Sequence, residues 1–405
     1  MKKKSKKKML RQAKLITIIC AVILLIEIAF ILYSVFFRNK ESLYFDGINA
    51  VISDNSSYVT VGSNNDNDNH YEKAKITKYD KSKNKVFEKL YNTGYNSAFF
   101  GVTFDDKDIV AVGSYEKDLT DHDNLVRKAI IVKYDDVGEI VFSKEFKILD
   151  NSRFTSVVKV NDGYLVTGQS VYMNTKVGTK SGGAILAKYD LEGNLLWNKT
   201  YGSSKNAVFN DLLVINDSIY VVGTDDNYLG IICRYDMNGN LIKYNDFKST
   251  DEIGFNGIIN INDKIYISGA ERVGKNKTNA MIVEYDYDCN YLNQVSYKTD
   301  GSARYNKLIV DNDNNIIAIG IKTSTKKTNS RTASDVNYDG IIGKYNSDLK
   351  EVDAASYGDD RDDYFTDVIL DNKDYLIVGY SSYEDGSYLS KFIRYSDALK
   401  VLEVG

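Results

Sequence analysis

From residue 45 onward, the chain alternates short apolar runs with polar segments rich in Gly, Asn and Asp. In one stretch, apolar and polar positions alternate over 154–160, a tight turn follows at 161–163, and 164–168 forms a second apolar run. Two more runs follow at 184–189 and 195–201. Alternation with a period of two, interrupted by hairpin-type turns, is typical of antiparallel β-strands. The pattern predicts a unit of four short strands, which we label A to D.

The unit recurs along the chain, and three landmarks identify each copy. The first is a tyrosine that closes strand C, followed by Asp, Asn or Ser. It occurs at Tyr79, Tyr134, Tyr189, Tyr235, Tyr285, Tyr345 and Tyr395. The second is a glycine that closes strand B, at Gly62, Gly113, Gly168, Gly223, Gly269, Gly320 and Gly379. The third is an aromatic residue in strand A, at Phe45, Phe99, Phe154, Phe209, Phe255, Tyr305 and Phe365.

The spacings between landmarks predict the architecture. Each of the first six tyrosines lies 20 residues before the next aromatic landmark, and the aromatic lies 14 residues before the glycine in five of seven units. The interval from glycine to tyrosine varies from 12 to 25 residues, so only the loop between strands B and C changes length. Seven units of four antiparallel strands predict an all-β fold, a seven-bladed β-propeller over residues 45–405. Strand A then lines the central channel.

One unit resembles a known group of proteins. Residues 184–190 read AILAKYD and residues 193–202 read GNLLWNKTYG. They are similar to the blade consensus of bacterial β-propeller repeat proteins, of both the short secreted type and the quinoprotein-like type. The likeness covers residues 45–404. It implies a scaffold protein when the cofactor residues of the quinone enzymes are absent, and Trp197 is the single tryptophan of the seven copies.

The first forty residues predict a membrane anchor. A basic tail at 1–14 precedes an apolar run at 15–37, which closes on Arg38 and Lys40. In a helix the run spans roughly 34 Å, enough for a hydrocarbon core of about 30 Å. From Glu41 onward the chain carries 42 basic and 55 acidic residues, a net charge of −13. The positive-inside rule therefore predicts a cytoplasmic N-terminus and an extracellular propeller at a bacterial plasma membrane.

Two features of this segment leave alternatives open. A cleaved signal peptide also begins with a basic region and an apolar stretch, but the run is longer than usual and no small-residue cleavage site follows it. Glu27 lies near the middle of the predicted helix, where a carboxylate often marks contact with a membrane partner. The alternative is a tolerated, protonated glutamate. The short stalk 38–44 reaches at most about 24 Å, so we expect the face with the B–C loops to lie toward the bilayer.

Composition excludes several classes of function. Two histidines and three cysteines do not support a multi-histidine metalloenzyme, a disulfide framework or a Cys₄ zinc site. Cys233 and Cys289 are expected to be free thiols. The acidic ectodomain excludes nucleic acid as a partner. Any chemistry rests on carboxylates, lysines and tyrosines.

The B–C loops all lie on one face of the predicted propeller, where recognition is expected. Both histidines fall in such loops of neighbouring units, among carboxylates, at Asp66, Asp68, His70, Asp121, His122 and Asp123. These six residues are a candidate site for a divalent cation. The alternative is a pair of polar surface loops. Apart from this cation, no cofactor is predicted.

A second candidate site lies in the channel. The position two residues after each aromatic landmark carries Gly47, Gly101, Ser156, Asp211, Gly257, Lys307 and Asp367. Asp211, Lys307 and Asp367 are therefore expected to form a polar cluster in the channel. Carboxylates near a lysine shift one another's pKa and form a ligand-binding or catalytic cluster. The alternative is a channel lining that only contacts water.

Three functions follow from these patterns. The first is a membrane-anchored scaffold that binds an envelope protein or a glycan. The second is an envelope enzyme, a quinone-dependent oxidoreductase or a carbohydrate-active lyase or hydrolase, with its site at the channel mouth. The third is an accessory subunit of a membrane assembly complex, contacted through Glu27. The chain enters at strand A and ends at strand D, so we also expect first and last blades without strand exchange and a weak seam between them.

Overall fold

The computed structural model describes residues 46–65, 71–91, 95–118, 125–148, 151–174, 179–203, 207–247, 253–275, 277–325, 336–359, 361–383 and 387–405. These residues form seven four-stranded antiparallel sheets, each a separate blade. The predicted seven-bladed propeller is confirmed. The predicted segments 1–14, 15–37 and 38–44, including Glu27, lie outside the described residues.

The strands follow one another in chain order, four to a blade. Blades 1 and 2 contain β1 (Asp46–Ser53), β2 (Ser57–Asn64), β3 (Lys73–Asp80), β4 (Lys85–Tyr91), β5 (Ser97–Asp105), β6 (Asp108–Asp118), β7 (Leu125–Tyr134) and β8 (Ile140–Glu145). Blades 3 and 4 contain β9 (Ser152–Val160), β10 (Gly163–Asn174), β11 (Thr179–Tyr189), β12 (Leu195–Tyr201), β13 (Val208–Ile215), β14 (Ser218–Thr224), β15 (Gly230–Asp236) and β16 (Leu241–Asp246). Blades 5 to 7 contain β17 (Ile253–Ile261), β18 (Lys264–Gly274), β19 (Lys277–Asp286), β20 (Tyr291–Tyr297), β21 (Ala303–Val310), β22 (Ile316–Thr325), β23 (Val336–Tyr345), β24 (Glu351–Tyr357), β25 (Asp362–Asp371), β26 (Asp374–Ser382), β27 (Tyr388–Tyr395) and β28 (Val401–Val404).

The first strand of every blade lies innermost, and these inner strands contact one another around the ring. The sequence of contacts runs β1, β5, β9, β13, β17, β21 and β25, and β25 contacts β1. The first and last sheets each contain four consecutive strands, so no strand is exchanged between them. The expectation of complete terminal blades is confirmed, and the ring is closed by side chains.

The aromatic and tyrosine landmarks meet in the core. In blades 2 to 7 their rings pack edge to face, for example Phe99 with Tyr134 at 6.3 Å and 87° and Phe154 with Tyr189 at 6.1 Å and 82°. This geometry places the positive edge of one ring against the negative face of the other. The ring contact joins two landmarks of the same blade across a loop of variable length, whereas the fixed 20-residue interval joins each tyrosine to the aromatic landmark of the next blade and reflects the constant path through strand D.

Blade 1 departs from this arrangement, and the assignment of Phe45 as its landmark is wrong. Ile48 pairs with Gly62, as Phe99 pairs with Gly113 in blade 2. Ile48 also restores the 14-residue interval that Phe45 breaks. Among the described residues Tyr79 has no aromatic partner in its own blade, and it packs edge to face on Phe392 of blade 7, at 5.5 Å.

The hydrophobic core is divided among the junctions between blades. Six junctions each contain a cluster of ten or more buried apolar residues among the described positions. The junction between blades 7 and 1 has only Ile48, Val51 and Val378 as its buried cluster. The seam therefore depends more on polar contacts than the other junctions do.

Candidate functional site

Every inner strand carries a β-bulge one residue after its landmark. In blade 2, for example, the pairing passes from Phe99 to Gly101 and leaves Phe100 unpaired. The bulge pushes the inner strand toward the landmark glycine of strand B, so that a Cβ atom on Gly113 would overlap the carbonyl oxygen of Ala98. The recurring glycine is therefore required by a close backbone approach.

The bulged residues link neighbouring blades at six of the seven junctions. Six of them are Asn or Thr, and each donates a side-chain hydrogen bond to the carbonyl oxygen of the landmark residue in the next blade. The links, at 2.6–2.9 Å, are Asn49 to Phe99, Thr155 to Phe209, Asn210 to Phe255, Asn256 to Tyr305, Asn306 to Phe365 and Thr366 to Ile48. The last link closes the ring across the seam. The seventh bulged residue is Phe100, which has no polar group to donate.

The structure brings the predicted channel residues Asp211, Lys307 and Asp367 to one central cavity of about 330 Å³. Each of these residues directly follows the bulged residue of its inner strand. The equivalent residue in blade 1 is Ala50. Gly47 is therefore not the channel residue of that blade, because the landmark is Ile48. Gly47 instead lies near the ring of Tyr380.

Asp211 is the most heavily bonded member of the cluster. Its Oδ1 accepts hydrogen bonds from the Ser156 hydroxyl at 2.8 Å and the Leu212 amide at 3.0 Å. Its Oδ2 accepts the Lys307 ammonium at 2.8 Å and, more weakly, the Ile258 amide at 3.4 Å. The carboxylate thus connects blades 3, 4, 5 and 6 at the channel wall.

Asp367 occupies the equivalent position in blade 7 and bonds in the same way. Its Oδ1 accepts the Val368 amide and its Oδ2 accepts the Val51 amide of blade 1, both at 2.9 Å. Burial raises the pKa of Asp367 above its usual range, and the Lys307 charge and the two amides offset only part of that effect. The side chain spans the seam.

Lys307 is the cation of the cavity. Burial opposes its charge, but the Asp211 and Asp367 carboxylates outweigh that opposition and hold the pKa of Lys307 above its usual range. A third of the side-chain surface remains exposed, toward the cavity. The ammonium group is therefore charged, anchored to Asp211 at one position, and accessible to a ligand. That the three residues bind a ligand remains a prediction.

Other predicted sites lie elsewhere. The six residues of the candidate cation site, Asp66, Asp68, His70, Asp121, His122 and Asp123, fall outside the described residues. Within the described part of the chain, no cluster of three or more metal-ligating side chains occurs. The same part contains no helix with the length and apolar character to cross a bilayer. Cys233 and Cys289 are buried and free, as expected.

A cluster of tyrosines on the loop-bearing face was not found by sequence reasoning. Tyr364 stacks on Tyr380 with ring centroids 4.9 Å apart and planes at 26°. Tyr338 of blade 6 lies 5.5 Å from Tyr364, and Tyr388 lies 5.4 Å from Tyr380. All four side chains are partly exposed. They occupy strand ends that adjoin the B–C and D–A loops, so they form an aromatic surface on the face where recognition is expected.

The sequence contained a partial signal for this cluster. Tyr364 precedes the landmark Phe365, and Tyr380 follows the landmark Gly379. Since these landmarks pair across the hairpin, the two tyrosines must pair as well. The signal was obscured because the chain has 32 tyrosines, many of which belong to the core.

Comparison with known proteins supports the fold. No protein-family model matches the sequence, and no curated protein matches it. A polysaccharide lyase of family PL25, an ulvan lyase bound to -[GlcA(1-4)Rha3S]-, has a similar structure with a TM-score of 0.56 at 10% identity, covering 88% of this chain and 96% of that chain. The β-propeller domain of the trilobed protease from Pyrococcus furiosus, which has an open velcro topology, gives 0.43 at 12% identity, covering 76% and 82%. An acylaminoacyl peptidase gives 0.49 at 9% identity, covering 87% and 51%.

Proposed function

We propose that the protein is a binding scaffold, held at the outer face of a bacterial plasma membrane by residues 15–37, that recognises a protein or a glycan with its loop-bearing face. The tyrosine cluster on that face carries the proposal. Partly exposed tyrosines have few rotatable bonds and combine a large apolar area with a hydroxyl group, and they are enriched where proteins bind partners. Stacking holds Tyr364 and Tyr380 in place before a partner arrives.

The contacts of the channel carboxylates argue against a catalytic role for them. Asp211 and Asp367 each accept two backbone amides, and at least one of these bonds crosses to the next blade. A general base has to reach a substrate proton with a free lone pair. The orientation of both carboxylates is instead fixed by backbone amides at the inner edge of the sheets, which donate hydrogen bonds to them. These hydrogen bonds are sufficient to explain Asp211 and Asp367 as structural links between blades.

The test removes the two ends of the tyrosine cluster in the full-length protein. The double variant Tyr338→Ser with Tyr388→Ser should retain its thermal unfolding transition and lose about tenfold or more in the recovery of cross-linked envelope proteins or glycan fragments. The matched control is Tyr244→Ser with Tyr291→Ser, because these side chains are half exposed on outer strands. Equal recovery by the variant, or an equal loss in the control, would show that this surface is not the binding site.

A second candidate function is an envelope enzyme with its site at the channel. It is favoured by a buried carboxyl of raised pKa, Asp367, that lies with Lys307 in one cavity. The similar polysaccharide lyase is compatible with this function only at the level of the fold. Cleavage of a polysaccharide by the wild-type protein, lost in Asp367→Asn at unchanged thermal stability, would favour the enzyme over the scaffold.

A further inference from the structure

Phe100 is the one bulged residue that breaks the rule of the inner ring. The other six bulged residues are Asn or Thr and bind the next blade, whereas Phe100 places a half-buried aromatic ring in the wall of the channel. Among the described residues that line the cavity, it is the single aromatic side chain. An asparagine at this position would form a hydrogen bond to the next blade, which the phenyl ring does not form. The ring therefore indicates a role in ligand binding.

The residue after Phe100 is a glycine that allows blades 2 and 3 to approach closely. Gly101 lines the cavity without a side chain, and a Cβ atom there would come within 2.9 Å of the Ser156 backbone. In a ring of seven, blade 2 lies opposite the boundary of blades 5 and 6, and blade 6 contributes Lys307. The cavity therefore has an apolar wall at blade 2 and a charged wall across the lumen.

Charge decides which ligands suit this cavity. Asp211, Asp367 and Lys307 give a net charge of −1, which disfavours an anion. A cationic ligand would share the 330 Å³ cavity with the Lys307 ammonium, and the two positive charges would repel each other at close range. An uncharged ligand with many hydroxyl groups avoids both costs. Its hydroxyls can accept from Lys307 and donate to carboxylate and amide oxygens.

We propose that the channel binds a single uncharged sugar unit, whose apolar ring face stacks on Phe100 and whose hydroxyls bond to Lys307 and the neighbouring polar lining. A ring of C–H groups on one face of a pyranose matches the negative face of an aromatic ring. The volume is at the lower end of small-molecule sites, about 300–1,000 Å³, and fits one sugar ring rather than a chain. This proposal specifies the glycan alternative of the proposed function and rests on it.

The experiment is ligand-observed NMR on the purified full-length protein with methyl glycosides of glucose, galactose, mannose and N-acetylglucosamine, and with glucuronic acid as a charged probe. We expect saturable binding of at least one neutral glycoside and tighter binding of it than of glucuronic acid. Phe100→Asn restores the residue type of the repeat, so it should fold normally and weaken binding about tenfold or more. Lys307→Met should weaken binding as well. Tyr228→Asn, which removes an exposed ring outside the cavity, is the control.

Each outcome distinguishes this inference from the proposed function. Neutral glycoside binding that survives Phe100→Asn overturns the channel site, as does tighter binding of glucuronic acid. If no probe binds but tyrosine-dependent recovery of a partner persists, the channel inference fails and the scaffold proposal stands. If both the glycosides and the partner fail to bind, both proposals fall.

Discussion

The seam between blades 7 and 1 can be tested by removing one hydroxyl group. Thr366 donates through Oγ1 to the carbonyl oxygen of Ile48 at 2.7 Å, the ring link that closes the propeller. Thr366→Val keeps the shape of the side chain and removes the donor. Loss of the bond leaves a partly buried carbonyl to find another partner, so we expect a cost of about 1–2 kcal/mol.

The effect should concentrate at the seam because little apolar surface supports it. Its cluster contains Ile48, Val51 and Val378, whereas every other junction has ten or more buried residues among those described. A loss of 1–2 kcal/mol raises the population of an open state by a factor of roughly 5–30. Local opening without global unfolding is expected where the packing is weakest.

Amide hydrogen exchange at Val51 measures this opening. The Val51 amide donates to Asp367 across the seam at 2.9 Å, so it exchanges when the seam separates. The matched control is Thr155→Val, which removes the same type of link, Thr155 to Phe209 at 2.6 Å, from the junction of blades 3 and 4. We expect faster Val51 exchange in Thr366→Val and little change in Thr155→Val. Equal exchange in both variants, or the slowest exchange of the protein at the seam, would refute a weak closure.

Two further predictions concern stability. Burial raises the pKa of the Asp105 carboxyl, but the ammonium groups of Lys133 at 2.7 Å and Lys159 at 2.6 Å outweigh it and lower that pKa to about 2. This contribution to stability is present above the ordinary pKa near 3.8 and is lost as the pH falls from there toward 2. Asp105→Asn should therefore cost about 1–2 kcal/mol near neutral pH and flatten the acid limb in urea unfolding measured from pH 5 to 2; an unchanged limb would contradict the assignment. Gly113→Ala should destabilise the protein by about 1–3 kcal/mol because its methyl group meets backbone, whereas Gly254→Ala, whose Cβ lies 3.7 Å from the nearest side-chain atom, should be tolerated in the same thermal unfolding assay.

The repeat was readable from the sequence because its landmarks are local. Phe99 and Gly113 lie within one blade, and their 14-residue interval reflects the hairpin that pairs them, whereas Tyr134 meets Phe99 across a loop whose length varies from blade to blade. The landmark of blade 1 was assigned to Phe45 because aromatic character was given more weight than the 14-residue interval to the glycine. Ile48 keeps the 14-residue interval, and any large apolar side chain fills that position when the ring contact comes from another blade.

Relations between blades were decided by the tertiary structure. The sequence placed Asp211, Lys307 and Asp367 in one channel, and adjacency of blades 6 and 7 would favour a pair of Lys307 with Asp367. Lys307 instead bonds to Asp211 at 2.8 Å, since Asp367 turns toward the Val51 amide across the seam. The Asn and Thr residues after the landmarks were also visible, but five of their acceptors lie 45 to 59 residues away in the next blade, and the acceptor of Thr366 lies 318 residues away in blade 1. Sequence spacing records the path of the chain from one strand to the next, whereas side-chain contacts between blades depend on the closure of the ring, which no local pattern encodes.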